Sequence, residues 1–283
     1  RISGLPVTGG AFPRPPEAPF PLSTNYEETM LLKDKKCLIF GVANNRSIAY
    51  GIASCFKEQG ARLAFSYAGE AIHKRVEPIS EELGGEFIFP CDVTSDEDIA
   101  AAAALVKEKW GSVDVLVHSV AFANREDLTK RFIETSRDGF ATALNVSAYS
   151  LTALCHAFEP MLNPGASVLT MTYYGAQKII TNYNVMGVAK AALEASVRYL
   201  SVDLGAKDVR INAISAGPLK TLASSGISDF KQIFNHIEEH APLRRNVTTE
   251  DVGKAAVFLA SDLGSAVTGE IMFVDCGYNN LGI

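Results

Sequence analysis

Ser167-Val168-Leu169-Thr170-Met171, followed by Tyr173-Tyr174-Gly175-Ala176-Gln177-Lys178 and Tyr183-Asn184-Val185-Met186-Gly187-Val188-Ala189-Lys190, is the stretch on which the reading of this chain turns. Its first five residues have the length and character of a buried strand. Its end runs into a helix of small residues, expected from Val188 to Leu200. Lys190 follows Tyr183 by seven positions, about two helical turns, so both side chains leave one face. A phenol and an ammonium there can share a polar site, in which the cation lowers the phenol's pKa. Such a pair suits donation to a developing oxyanion. The spacing alone fits equally a ring packed in the core and a solvated lysine two turns along.

Outward from this stretch the pattern is regular. Apolar runs at 37–40, 61–67, 86–90, 113–118, 210–214 and 271–274 read as further strands, and helical patterns separate them. Ser95 stands as an N-cap before the acids Asp96, Glu97 and Asp98, which suit a helix's first turn. Strand and helix alternate seven times, and the strands are apolar throughout rather than at every second residue. That is the pattern of a parallel sheet covered on both faces. The expectation is one doubly wound, seven-stranded, Rossmann-like α/β domain over residues 30–283, with ligands outside the carboxyl ends of the strands. Residues 1–29 hold six of the twelve prolines and no periodicity. They read as a flexible tail, either appended sequence or the remnant of a targeting segment.

Composition limits the function classes. Hydrophobic residues make up 47% and charged residues 20% of the 283, the profile of a soluble globular protein. A net charge of −6 with no basic stripe argues against nucleic-acid binding. No apolar run approaches the roughly 20 residues that span a bilayer. The five cysteines are widely spaced, with no metal-type pairing, and read as reduced thiols of a cytoplasm-like compartment without structural zinc.

The strand ends carry the candidate site. Gly41 allows a sharp turn, and the helix opening near Ser47 offers free N–H groups to a pyrophosphate, with Ser47 as either cap or phosphate donor. A plain strand-to-helix turn is the other reading, because Ala43 occupies the middle glycine position of the dinucleotide fingerprint. Asp92 is placed to accept from an adenine amino group or to cap a turn. Ser119-Val120-Ala121 are small where backbone must approach a flat ring, or where helix and strand pack closely. Tyr67-Ala68-Gly69 offers neither an acid for a ribose nor a base for a 2′-phosphate, although Arg46 is in range, and this leans towards NADH rather than NADPH.

With these residues in place, the chain resembles the short-chain dehydrogenase/reductase superfamily over Leu32 to Val274, and within it the enoyl-acyl carrier protein reductases of type II fatty acid synthesis. The resemblance rests on Gly41 to Ala49, the Tyr183-to-Lys190 spacing, and Ala216-Gly217-Pro218 followed by Thr221-Leu222-Ala223. Most of the superfamily places its lysine four residues after the tyrosine. Here that position is Gly187, and Tyr173 matches the family's second tyrosine. The resemblance implies reduction of a trans-2-enoyl thioester by NADH, with Tyr183, Lys190 and Tyr173 catalytic and no metal. It implies Gly41, Ser47, Ile48, Asp92, Val93, Ser119, Val120, Ala121, Lys190, Gly217 and Thr221 along the dinucleotide. Ala121, Phe122, Tyr173, Tyr183, Leu222, Ile227, Phe230 and Ile233 would meet the acyl chain, and the last four, with Phe234, also fit a helix face packed on the core. It further implies acyl carrier protein as partner, a homotetramer, and a bacterial cytoplasm or, if the tail is a transit remnant, an organellar stroma. Asn145 stands where many enoyl reductases carry an aspartate, and a carbonyl-reducing member of the superfamily remains the alternative.

Overall fold

The computed structural model describes residues 30–221 and 230–282. Residues 1–29, with the expected tail, lie outside them, as do Leu222 and Ile227. In chain order the elements are β1 (Lys36–Phe40), α1 (Ile48–Glu58), β2 (Arg62–Tyr67), α2 (Glu70–Leu83), β3 (Phe87–Pro90), α3 (Asp96–Lys109), β4 (Val113–His118) and α4 (Arg125–Thr129). There follow α5 (Arg137–Leu144), α6 (Ser150–Phe158), β5 (Leu162–Thr172), α7 (Asn184–Gly205), β6 (Arg210–Ala216), α8 (Phe230–His240), α9 (Thr249–Ala260) and β7 (Ile271–Val274). A π-helical turn, Asn145–Tyr149, joins α5 to α6.

The seven strands form one parallel sheet in the order β3-β2-β1-β4-β5-β6-β7. Successive strand residues point to opposite faces, and both faces are apolar. Cys37 and Ile39 join the core cluster under α1, α2 and α9, whereas Leu38 and Phe40 join the one under α3, α6 and α7. This is why the strands read as continuous runs. Ser95 caps α3 as expected, its side chain accepting from Asp98 N.

The strand order reverses between β1 and β4, the switch point outside which ligands bind in sheets of this kind. The ends of β1, β3, β4, β5 and β6 carry Gly41, Cys91-Asp92, Ser119, Tyr173 and Gly217 in turn. β5 and α7 exceed the expectation most. β5 begins at Leu162, ahead of the Pro164-Gly165 pair, and pairs with Val113 before a register shift. α7 begins at Asn184, directly after Tyr183.

Candidate active site

Gly41 makes the first wall of the site. Its φ is +101°, and a Cβ there would stand 2.1 Å from the carbonyl oxygen of Ser119. Only glycine lets the β1 turn lie so close to β4, whose extension is pinned by Ser119 N donating to Phe40 O at 3.0 Å. Ser47 occupies the N-cap position of α1 with extended backbone, yet its side chain does not cap. Its hydroxyl donates instead to Asn44 O at 2.6 Å. Among the described residues the N–H groups of Ile48 and Ala49 have no acceptor, so the helix presents free donors beside Gly41. Gly51 serves another purpose: a Cβ there would meet Thr249 Cβ at 2.6 Å, at the crossing of α1 and α9.

Asp92 is exposed, and its Oδ1 accepts from Thr94 N at 2.9 Å and Thr94 Oγ1 at 2.7 Å, the geometry of a turn aspartate. Val93 beside it is buried. Ile48, Ser119 and Val120 are half-buried, while Ala121 and Phe122 are exposed. Ser147, which no sequence pattern singled out, fixes this strand end: its Oγ accepts from Phe122 N at 3.0 Å and donates to Phe122 O at 3.1 Å. Ser147 sits in the π-helical turn, an irregularity frequent at functional sites.

Tyr183 and Lys190 are both buried, at 8% and 5% exposure. The Tyr183 ring lies in a small apolar cluster with Leu128, Ala143, Val185, Met186 and Ala189, and meets the Tyr173 ring edge-on at a centroid distance of 5.0 Å. Asn182 and Asn184, at φ +62° and +41°, flank it in the left-handed region. The Asn184 side chain donates to Leu128 O at 2.8 Å and Lys130 O at 2.7 Å, tying the turn to the end of α4. Lys190 Nζ donates to Met171 O at 2.8 Å.

The phenol is not activated as the spacing suggested. Burial, followed by the neighbouring Tyr173 and Glu194, pushes the Tyr183 pKa far above its ordinary value. Tyr173 is pushed up to about 12, again by burial and then by Tyr278. Burial lowers Lys190 to about 8, against the opposing field of Glu194. Lys190 turns its charge to the β5 carbonyl rather than to the phenol, so Tyr183 remains a protonated donor at neutral pH. That overturns the phenolate expectation, and it leaves a hydroxyl with no hydrogen-bond partner among the described residues.

Behind the pair lies a sealed polar layer. His118 Nδ1 meets Thr170 Oγ1 and Nε2 meets Ser150 Oγ, each at 2.8 Å. Because Ser150 Oγ donates to Val146 O at 2.7 Å, it accepts from Nε2–H, which fixes the tautomer. Burial, then the Lys190 charge, holds His118 down to about 3. Imidazole is therefore neutral here.

Towards the substrate side, Gly217 N donates to Val274 O at 2.9 Å and Thr221 N to Leu219 O at 2.9 Å. Lys220 Nζ lies 4.1 Å from the centroid of the Phe234 ring. Phe230 heads α8. Ile233 is half-buried and packs against the core cluster, as a core-facing helix residue does.

These residues fit a dinucleotide. The Gly41 cradle admits backbone approach that a Cβ would fill, and free N–H groups stand at the head of α1. Met171 O is the one acceptor of Lys190 among the described residues, so two of the ammonium's three donors remain for a ligand.

A family model described as enoyl-(acyl carrier protein) reductase matches residues 41–279. Enoyl-acyl-carrier-protein reductase (NADH) 1 of Rhizobium meliloti is 53% identical over 89% of this chain and 93% of its own length. The enoyl-acyl-carrier-protein reductase (NADH) of Rickettsia typhi is 54% identical over 90% and 97%. The Bacillus cereus enoyl-acyl carrier protein reductase, solved with NADP+ and indole naphthyridinone, superposes with a TM-score of 0.88 at 50% identity, covering 89% of this chain and 99% of that one. Residues 41–279 thus carry both the sheet and the tyrosine–lysine pair within one continuous match, and the chain belongs to the enoyl-acyl carrier protein reductase family, with its short-chain dehydrogenase/reductase type of fold.

Proposed function

We propose that this chain reduces trans-2-enoyl-acyl carrier protein thioesters to saturated acyl thioesters with NADH, the last step of a fatty acid elongation cycle. The observation that carries the reading is the buried Tyr183–Lys190 pair beside the Gly41 cradle, in a chain of this family. Bound NADH would supply a hydride to the β-carbon of the enoyl group. Tyr183 donates its O–H to the thioester oxygen as negative charge gathers there, and its raised pKa keeps that proton available. Lys190 holds the nicotinamide ribose through the donors that Met171 leaves free and adds positive charge to the site. Tyr173 flanks the acyl chain, which Ala121 and Phe122 also meet. Exclusion of bulk water by the apolar cluster around Tyr183 strengthens each of these bonds.

NADH is preferred to NADPH because the turn after β2, Tyr67-Ala68-Gly69, has no cation for a 2′-phosphate. Residues 30–283 act as one reductase domain, assembled as a homotetramer and served by acyl carrier protein. No helix among the described residues is long and apolar enough to cross a membrane, and we place the enzyme in a bacterial cytoplasm or an organellar stroma. The test is loss of reduced-nicotinamide absorbance with crotonyl or dodecenoyl thioester. Oxidation of NADH supports the reading. Oxidation of NADPH alone would overturn the cofactor assignment, and reduction of 3-oxoacyl thioesters only would replace the reaction with carbonyl reduction.

A further inference from the structure

Glu194 is a buried carboxylate that the reaction as described does not use. It stands one turn beyond Lys190 on α7 and is equally buried, at 5% exposure. Thr172 Oγ1 donates to its Oε1 at 2.9 Å, and Gln177 Nε2 donates to its Oε2 at 3.4 Å. Lys190 bonds Met171 O and Glu194 bonds Thr172, so consecutive turns of α7 are tied to consecutive residues of β5. Two neutral donors make the burial of Glu194 tolerable without cancelling its charge. A lysine buried to the same depth is driven to shed its proton.

The surroundings leave this charge to one residue. His118 is neutral, and the phenols of Tyr173 and Tyr183 are held protonated by burial, with Tyr278 acting on Tyr173. Among the described residues Glu194 is the charged group that acts on Lys190, opposing the burial that, even so, leaves the ammonium at about 8. Thr172 and Gln177 also engage the carboxylate, so it does not take up the ammonium donors that a ligand needs. We propose that Glu194 is a positioning residue of the reductase site: its carboxylate keeps Lys190 an ammonium, while Thr172 and Gln177 hold it where it supports that charge without claiming it. The proposal rests on the role given to Lys190 in holding the ribose.

Two readouts separate the proposal from that role. Trace labelling of the cofactor-free protein with acetic anhydride across about pH 6 to about pH 10 reads the Lys190 midpoint directly from its peptide, since only the free amine reacts. Glu194→Gln is expected to move that midpoint down by about one unit, and Glu194→Asp, whose carboxylate is withdrawn by one carbon, by less. NADH affinity, followed by nicotinamide fluorescence, is expected to match wild type near pH 6 and to fall about fivefold below it near pH 8 in Glu194→Gln. An unchanged labelling midpoint, or an affinity loss uniform across pH, overturns the proposal. A shifted midpoint with NADH affinity indifferent to pH supports Glu194 and overturns instead the ribose role of Lys190. Should Glu194→Gln not fold, Glu194→Asp decides by the same two curves.

Discussion

A Cβ at Gly187 would stand 2.8 Å from the carbonyl oxygen of Gly175, so α7 and the turn after β5 meet there backbone to backbone. A Cβ at Gly175 would in turn stand 2.5 Å from Cδ1 of Tyr183. The position four residues after the tyrosine therefore admits no side chain, and the lysine has to come from the next turn. Gly187→Ala should lose about 1–3 kcal/mol to overpacking and regain about 1 kcal/mol of helix propensity, a net loss with reduced turnover. Gly205→Ala is the control: it lies at the end of the same helix with nothing within 4 Å of its added Cβ, and should be neutral or stabilising. Urea midpoints of the two variants moving together would refute the steric argument.

Tyr183→Phe keeps the ring in its cluster and its edge-on contact with Tyr173, and removes a hydroxyl with no protein partner among the described residues. Thermal stability and NADH affinity should stay at wild-type values. Turnover should fall about 10²–10³-fold, the usual cost of one oxyanion donor. Wild-type turnover in this variant would end the role assigned to the hydroxyl.

The legible and illegible parts of this protein divide on physical lines. β4 and β7 match their apolar runs residue for residue, because strands covered on both faces leave continuous patterns. β5 and α7 extend further than their patterns. Leu162 pairs with Val113 ahead of a turn-like Pro164-Gly165, and asparagines at positive φ, tolerated there better than most residues, start α7 beside Tyr183. Gly41, Ser119, Tyr173, Tyr183 and Lys190 stood out because they terminate strands or follow one at helical spacing. Ser147, His118 and Glu194 did not, since each is a polar residue in an apolar neighbourhood whose partner lies elsewhere in the sequence. Helical spacing also placed Lys190 on the right face without showing that its ammonium would turn to Met171 O.

His118 carries a pH signature. Its pKa is about 3 in the fold, against an ordinary 6.5, first through burial and then through Lys190. Between those values the unfolded chain binds a proton that the folded one refuses, so stability rises with pH. The contribution is complete above about pH 6.5 and is lost as pH falls, by about 2 kcal/mol on reaching about pH 5. Unfolding free energies from urea titration at neutral pH and near pH 5 should differ by that much more in wild type than in His118→Gln, whose amide does not titrate. Equal differences would show that His118 is not the group responsible.

Ser147→Ala removes the hydroxyl that both accepts from and donates to the Phe122 backbone. Phe122 is 51% exposed, so water replaces the lost partners and the stability cost should stay near 1 kcal/mol. The loop itself loses its anchor. The KM for the enoyl thioester should rise several-fold while NADH affinity holds, and steady-state kinetics beside cofactor titration read the two apart. Parallel loss of both would place Ser147 in the general packing of the fold instead.

The face of α7 that turns away from the sheet carries two large apolar side chains among the exposed charges of Arg198 and Asp203. Tyr199 and Val202, one turn apart, are 80% and 75% exposed, and Tyr149 at the end of the π-helical turn is 56% exposed. The homotetramer proposed above would account for them if it buried this face. Tyr199→Glu with Val202→Asp would cost a monomer nothing, since both carboxylates would be solvated, but would leave unpaired charges inside an interface, a severe penalty. Light scattering after gel filtration should show the wild-type assembly reduced to smaller species, with circular dichroism unchanged. Turnover should fall with it, because the same helix carries Lys190 and Glu194 on its inner face. An undiminished assembly in the double variant would locate the subunit contacts on another surface.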